Sequence, residues 1–309
     1  MANTFTHLTI RRQHLRTEVK IEDIHIRDPF VVPVLEASTY YMYGTTDKDC
    51  WNGPGVGFDV YKSTNLKDWD GPYPAFRPSS DFWAEKNFWA PEIYQYSGKY
   101  YMFASFFAEG KKRGTQSLVS QSPLGPFVPN SKGVLTPEEW ECLDGTLYID
   151  EQTPWMIFCH EWVQIGDGTI CAVRLSKDLK KIMSYPIELF KASSAPWTEL
   201  LVIENAGLKG YVTDGPFLYR TSDNQLLMIW SSFRNQKYAL GIARSATGSV
   251  TGPWKHDSQP LFSEDGGHGM LFKTFDGQLM LSIHKPNNTP NERPVFLALN
   301  ETDGKLWLK

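Results

Sequence analysis

Cysteine is scarce: Cys50, Cys142, Cys159 and Cys171 are the only four in 309 residues, and no two have CxxC spacing. A structural zinc site is therefore not expected, and four buried thiols are favoured over disulfides. No run approaches the roughly 18 apolar residues that a membrane helix needs. Met1-Ala2-Asn3-Thr4-Phe5-Thr6-His7 leads into Arg11-Arg12-Gln13-His14 without the apolar centre of a secretion leader. The expectation is a cytoplasmic protein, or a secreted or periplasmic one whose leader has been removed. An excess of one charge is also lacking: 31 Lys and Arg face 35 Asp and Glu, a net charge of -4. Neither nucleic acid nor a membrane surface is thus an expected partner. Helical periodicity is almost absent, which argues against a coiled coil.

Aromatic side chains, by contrast, make up 14% of the chain, with 11 Trp and 14 Tyr, and 24 Gly and 20 Pro supply many turns. Short aromatic and β-branched runs alternate with Gly, Pro, Asn and Asp clusters, the pattern of an all-β protein. Those runs repeat. Arg27-Asp28-Pro29-Phe30, Ala90-Pro91-Glu92-Ile93, Leu143-Asp144-Gly145-Thr146, Thr213-Asp214-Gly215-Pro216 and Gly267-His268-Gly269-Met270 recur at a mean spacing of about 60 residues. Each is followed by a hydrophobic strand: Tyr40–Tyr43, Tyr100–Phe103, Trp155–Phe158, Leu226–Ile229 and Leu279–Ser282. In the first four units a third strand follows and ends in a Ser turn. Four antiparallel strands repeated five times predict a five-bladed β-propeller spanning residues 1–309, with blades opening near 28, 92, 144, 214 and 268.

In a propeller the first strand of each blade lines the central channel, so Asp28, Glu92, Asp144, Asp214 and His268 are expected to converge at one mouth. The ends of the second strands return to the same face and carry Phe107, His160, Glu161, Arg234 and His284. A concave polar site with aromatic walls follows. Several crowded carboxyls split their pKa values, so that one stays ionised while another keeps its proton. Glycosidic bond cleavage needs that division of labour. The same acids suit a hard cation, and Asp-Pro and Asp-Gly are also ordinary turn formers.

Ile26-Arg27-Asp28-Pro29-Phe30, Phe88-Trp89-Ala90-Pro91-Glu92, Leu143-Asp144-Gly145, Thr213-Asp214-Gly215-Pro216 and Gly267-His268-Gly269 together resemble glycoside hydrolase family 43 over roughly residues 20–300. The resemblance implies a five-bladed propeller acting by inversion on an oligosaccharide, as an α-L-arabinofuranosidase, β-xylosidase or arabinanase. It implies Asp28 as general base and Asp144 as the acid that tunes the proton donor. Asp214 stands where the family usually has a general-acid Glu. His268 matches a channel histidine that in some members contacts a bound calcium ion or its waters, with no cofactor required for the chemistry. Trp89 lies where an aromatic flanks the sugar, and His284 with Arg293 resembles the closing-blade pair.

Asp is one methylene shorter than Glu, roughly 1.5 Å of reach, and errors near 1 Å can cost about a hundredfold in rate. Asp214 is favoured as the donor, with Glu161 as its substitute. Trp51 and Trp83 are candidate stacking platforms, whereas Trp69, Trp140, Trp197 and Trp254 read as packing. Lys111-Lys112-Arg113 reads as a solvated hairpin tip. Rival readings are a sugar-binding propeller without catalysis, motivated by the replacement at Asp214, and a glycoside phosphorylase, which requires a cationic pocket.

Overall fold

A computed structural model describes residues 18–309; the leader reading at the amino terminus lies outside them. Five antiparallel sheets surround a channel, each with its strands in simple sequential order from the axis outward. Blade 1 contains Arg27–Val34, Thr39–Thr45, Phe58–Ser63 and Asp68–Phe76, and blade 2 contains Lys86–Tyr96, Lys99–Phe107, Gly114–Ser120 and Val128–Pro129. Blade 3 is built from Cys142–Asp150, Thr153–His160, Thr169–Arg174 and Ile187–Lys191. Blade 4 runs Asp214–Arg220, Leu226–Arg234, Lys237–Ser245 and Trp254–His256, and blade 5 runs Gly267–Lys273, Leu279–Lys285, Arg293–Thr302 and Lys305–Leu308. Between blades 3 and 4 the chain forms a small ribbon, Leu201–Ile203 paired with Leu208–Gly210.

The second strands are apolar on both faces because each is sandwiched between neighbouring blades. Lys99–Phe107 and Leu226–Arg234 are buried at seven positions each. Sequences that must bury both faces lose the period-2 alternation of a half-exposed strand. Five hydrophobic clusters fill the five junctions between blades. Phe58, Phe88 and Phe106 pack between blades 1 and 2, Trp197 and Trp230 between blades 3 and 4, and Ile26, Trp69 and Phe272 between blades 5 and 1. Trp254 is buried as well, so the packing readings of Trp69, Trp197 and Trp254 agree with the structure. All four cysteines are free and buried.

Among the described residues the ring closes without a shared blade. The first described strand, Glu18–Lys20, pairs with the outer strand of its own blade 1, at Asp68–Asp70. Among those residues blades 5 and 1 meet through side chains and isolated hydrogen bonds. Ser282 donates from Oγ to the Pro29 carbonyl at 2.8 Å, the Phe275 N–H donates to the Tyr40 hydroxyl at 2.9 Å, and Arg27 pairs with Glu292 at 2.5 Å.

Candidate active site

Every inner strand breaks register at the same place. Two residues bulge after Arg27, Trp89, Leu143, Asp214 and Gly267, each of which pairs normally with the second strand. The first bulged residue adopts the left-handed region in all five blades: Asp28 (φ 54°), Ala90 (45°), Asp144 (56°), Gly215 (50°) and His268 (47°). A bulge re-aims the local side chains, here at the mouth of the channel. This corrects the expected alignment. The true equivalents in blades 2 and 4 are Ala90 and Gly215; Asp214 precedes its bulge by one residue and Glu92 follows Ala90 by two. Blade 2 accordingly opens at Lys86, upstream of Glu92.

The bulges and the loops beside them enclose a cavity of about 620 Å³ whose lining includes Asp28, Asp144, Glu161, Asp214 and His268. His268 Nδ1 stands 3.2 Å from Asp28 Oδ1 and 3.7 Å from Asp144 Oδ2, so one ring nitrogen faces both carboxyls. Thr45 donates to Asp28 Oδ2 at 2.7 Å, and the Asp28 N–H donates to His284 Nδ1 at 3.2 Å. Burial and Arg27 hold His284 neutral by lowering its pKa. Burial alone pushes the Asp28 carboxyl up, yet His268, the His284 ring and Arg27 together hold it far below the usual carboxylate range.

The other carboxyls move the opposite way. Burial, and then the Asp28 charge, raise Asp144 to about 8. Asp214 is raised to about 7 by burial and then by Asp144, while Tyr238 donates to its Oδ2 at 3.1 Å. Glu161 is raised by burial against the opposing charge of Arg113, its ion-pair partner. Arg113 also donates to Asn87 Oδ1 at 3.1 Å and lies 4.3 Å over the Trp89 ring. An ionised carboxylate therefore faces two acids that retain their protons near neutral pH.

Trp89 lines the cavity, and other expected site residues do not. Glu92 is buried outside the lining, where Tyr94 donates to it and burial raises it to about 7. Phe107 backs Arg113 at 5.7 Å. His160 turns to the rim, stacked on Trp140 at 4.2 Å and bonded to Gln164. Arg234 bonds Gln259 at 2.6 Å on the exposed surface, and Arg293 donates to the carbonyls of Glu22, Pro290 and Glu292. His284 is fully buried and reaches the cavity through its contacts with Asp28, with Asn287 at 3.3 Å and with the Tyr238 ring stacked on it. Trp83, bonded to Gln116, is also outside the lining, whereas Trp51 is part of it.

Sequence reasoning missed Arg27, Arg113, Tyr238 and the stretch Asn287–Thr289 as site residues, all of which line the cavity. Arg113 corrects the hairpin-tip reading: Lys111 and Lys112 are exposed, but Arg113 turns inward, with 14% of its side chain accessible. For the calcium ion implied beside His268, the described residues offer no group of three or more His, Cys, Asp or Glu able to hold a metal.

Five blades around a channel, with one ionised and two protonated carboxyls sharing its mouth, describe a propeller glycoside hydrolase. The chain belongs to glycosyl hydrolases family 43, whose family model matches residues 21–304. It is 26% identical to the extracellular exo-alpha-(1->5)-L-arabinofuranosidase ArbA of Cellvibrio japonicus, over 98% of this chain and 94% of that protein. It is 24% identical to the extracellular endo-alpha-(1->5)-L-arabinanase 1 of Bacillus subtilis, over 78% of this chain and 71% of that one. The crystal structure of an endo-arabinase from Bacteroides thetaiotaomicron superposes with a TM-score of 0.86 at 45% identity, covering 93% of this chain and 98% of that chain. Among the described residues no helix is long and apolar enough to cross a membrane.

Proposed function

We propose that the protein is an inverting glycosidase that removes terminal α-L-arabinofuranosyl units from plant-derived oligosaccharides. The observation carrying this reading is the convergence of Asp28, Asp144 and Asp214 on one cavity, where neighbouring charge lowers the first and burial raises the other two. Ionised Asp28 takes a proton from water as the water oxygen bonds to the anomeric carbon. The glycosidic C–O bond breaks, its electron pair goes to the leaving oxygen, and Asp214 gives that oxygen its proton. Asp144 tunes Asp214 as a coupled partner: whichever of the two buried carboxyls ionises first, its charge disfavours ionisation of the other, so the pair keeps a proton for the leaving oxygen. Glu161 is the weaker donor, because its Arg113 partner favours the ionised carboxylate.

Arabinose is preferred over xylose because the relatives named above act on arabinan or arabinofuranosides. Action on terminal units is supported by loop closure on one side. Trp51 Nε1 donates to Thr289 Oγ1 at 2.9 Å, tying a blade 1 loop to a blade 5 loop at the cavity rim. The phosphorylase alternative gains no support, since Arg27 and Arg113 in the cavity pair with Glu292 and Glu161. Both curated relatives carry "extracellular" in their names, and an exported location suits such a substrate.

The donor is tested with Asp214→Ala and Glu161→Gln against two aryl arabinofuranosides. One carries a phenol leaving group and the other a dinitrophenol, which departs without protonation. Losing the donor lowers turnover of the phenyl substrate by about 10²–10⁴ and leaves the dinitrophenyl substrate nearly unaffected. That selective pattern in the Glu161 variant instead of the Asp214 variant overturns the assignment. Retained anomeric configuration in the first-formed product overturns inversion.

A further inference from the structure

The five bulges are strung together by a ladder of hydrogen bonds around the channel. At four of the five junctions the N–H of the bulged residue donates to the second strand of the preceding blade. Four junctions share one solution. The Ala90 N–H donates to Thr45 Oγ1 at 2.8 Å, Asp144 to Ser105 Oγ at 2.9 Å, His268 to Ser231 Oγ at 2.8 Å and Asp28 to His284 Nδ1 at 3.2 Å. Each acceptor occupies the same place in its blade. Thr45, Ser105, Ser231 and His284 pair with Arg27, Trp89, Asp214 and Gly267, the residues immediately before the bulges.

At the remaining junction, from blade 3 to blade 4, the residue in that place is Cys159, which pairs with Leu143. A thiol is a poor acceptor, and burial raises Cys159 so that it stays neutral. The Gly215 N–H goes elsewhere: it donates to Asp144 Oδ2 at 2.9 Å. The backbone runs close to blade 5 here: a Cβ on Gly215 would sit 2.7 Å from the His268 ring. Asp144 is thus tied to the backbone of the residue next to Asp214, whereas Asp28 is tied to the hydroxyl of Thr45 in its own blade.

We propose that Cys159 is a positioning residue: by withholding an oxygen at this one rung it leaves the Gly215 N–H to Asp144 and so fixes that carboxylate against Asp214. The kinetic part of this proposal rests on the glycosidase reading above; the structural part does not. A serine at 159 restores the common rung. Its Oγ accepts the Gly215 N–H as Ser105 and Ser231 accept theirs, and Asp144 then turns on its own blade without a tie to blade 4.

The test compares Cys159→Ser with Cys159→Ala, which removes the thiol without adding an acceptor, using two readouts. The first is the amide resonance of Gly215, with and without Asp144→Asn. In the wild type and in Cys159→Ala, Asp144→Asn shifts that resonance, because the amide donates to the carboxylate; in Cys159→Ser it leaves the resonance in place. The second is steady-state kinetics. Cys159→Ser lowers kcat about tenfold with KM unchanged, as expected when a site group is misplaced by a fraction of an ångström, and Cys159→Ala stays within about threefold of wild type on the same ground. The proposal is overturned if Asp144→Asn shifts the Gly215 resonance equally in all backgrounds, or if Cys159→Ala loses as much kcat as Cys159→Ser. Should Asp144→Asn alone prove fully active, the glycosidase roles fail, and the resonance still decides the rung.

Discussion

Arg27 and Glu292 give the most direct measure of what holds the first and last blades together. Their side chains are 10% and 0% exposed, and the pair bridges blade 1 to the loop that enters the third strand of blade 5. Thr289 also donates to Glu292 Oε1, but among the described residues Oε2 has no hydrogen-bond partner and lies 3.5 Å from His25 Nε2. Arg27→Met therefore leaves a buried carboxylate without its cation, which costs about 3–5 kcal/mol. At roughly 2 °C per kcal/mol for a chain of this length, the melting temperature falls by about 6–10 °C. Removing both charges in Arg27→Met/Glu292→Leu recovers most of that loss, because no charge is then stranded. The pH dependence has a definite sign. In the wild type, hydrogen bonds from Thr289 and Arg27 hold Glu292 below its ordinary range despite burial, so its contribution is present at neutral pH and lost on acidification. In Arg27→Met the unpaired buried carboxyl is raised instead, so the deficit shrinks as the pH falls. Thermal melts followed by circular dichroism at pH 5 and pH 7.5 test both points. A single variant that melts within 2 °C of wild type, or a double variant no better than the single, refutes the reasoning.

Asp28→Asn should lower kcat by about 10²–10⁴ with an unchanged melt, measured on an aryl arabinofuranoside. As the proposed donor, Asp214 acts in its protonated form, and since it is raised to about 7, kcat/KM should fall about tenfold per unit above that pH. Below it the profile should stay flat down to at least pH 5, since Asp28 ionises far below the usual range; a profile rising between pH 7 and 8 contradicts the assignment. Arg113→Ala strands Glu161 and frees the Trp89 ring, so KM should rise about tenfold while kcat changes less, and an unchanged KM argues against a binding role. Gly215→Ala places a methyl against His268 at a positive φ, and should cost about 1–3 kcal/mol in chemical denaturation together with most of the activity.

The propeller was legible because its repeat is physical: each blade needs a channel strand, a doubly buried strand and a turn, and those demands recur in the composition. Convergence of Asp28, Asp144, Asp214, Glu161 and His268 on one cavity followed from that repeat. The phase of the bulge did not. Aligning blades by their acids matches Asp214 to Asp144, whereas the backbone matches Gly215 to Asp144, because the shared requirement is a left-handed residue and not a charge. Second-strand ends misled for a related reason. Successive side chains point to opposite sides of a strand, so Cys159 faces the ladder while His160 faces Trp140 at the rim. Arg113 was hidden in a run of cations, and its role depends on Glu161, 48 residues away. Tyr238 carries no local motif; only the register of blade 4 brings it to Asp214.

The imidazoles that flank Asp28 come from the opposite end of the polypeptide, since His268 and His284 both belong to the last blade. A nascent or clipped chain lacking that blade retains the carboxylate but has neither ring beside it. The carboxylate of blade 1 therefore acquires its two imidazole neighbours only when the hairpin of blade 5 completes the circle.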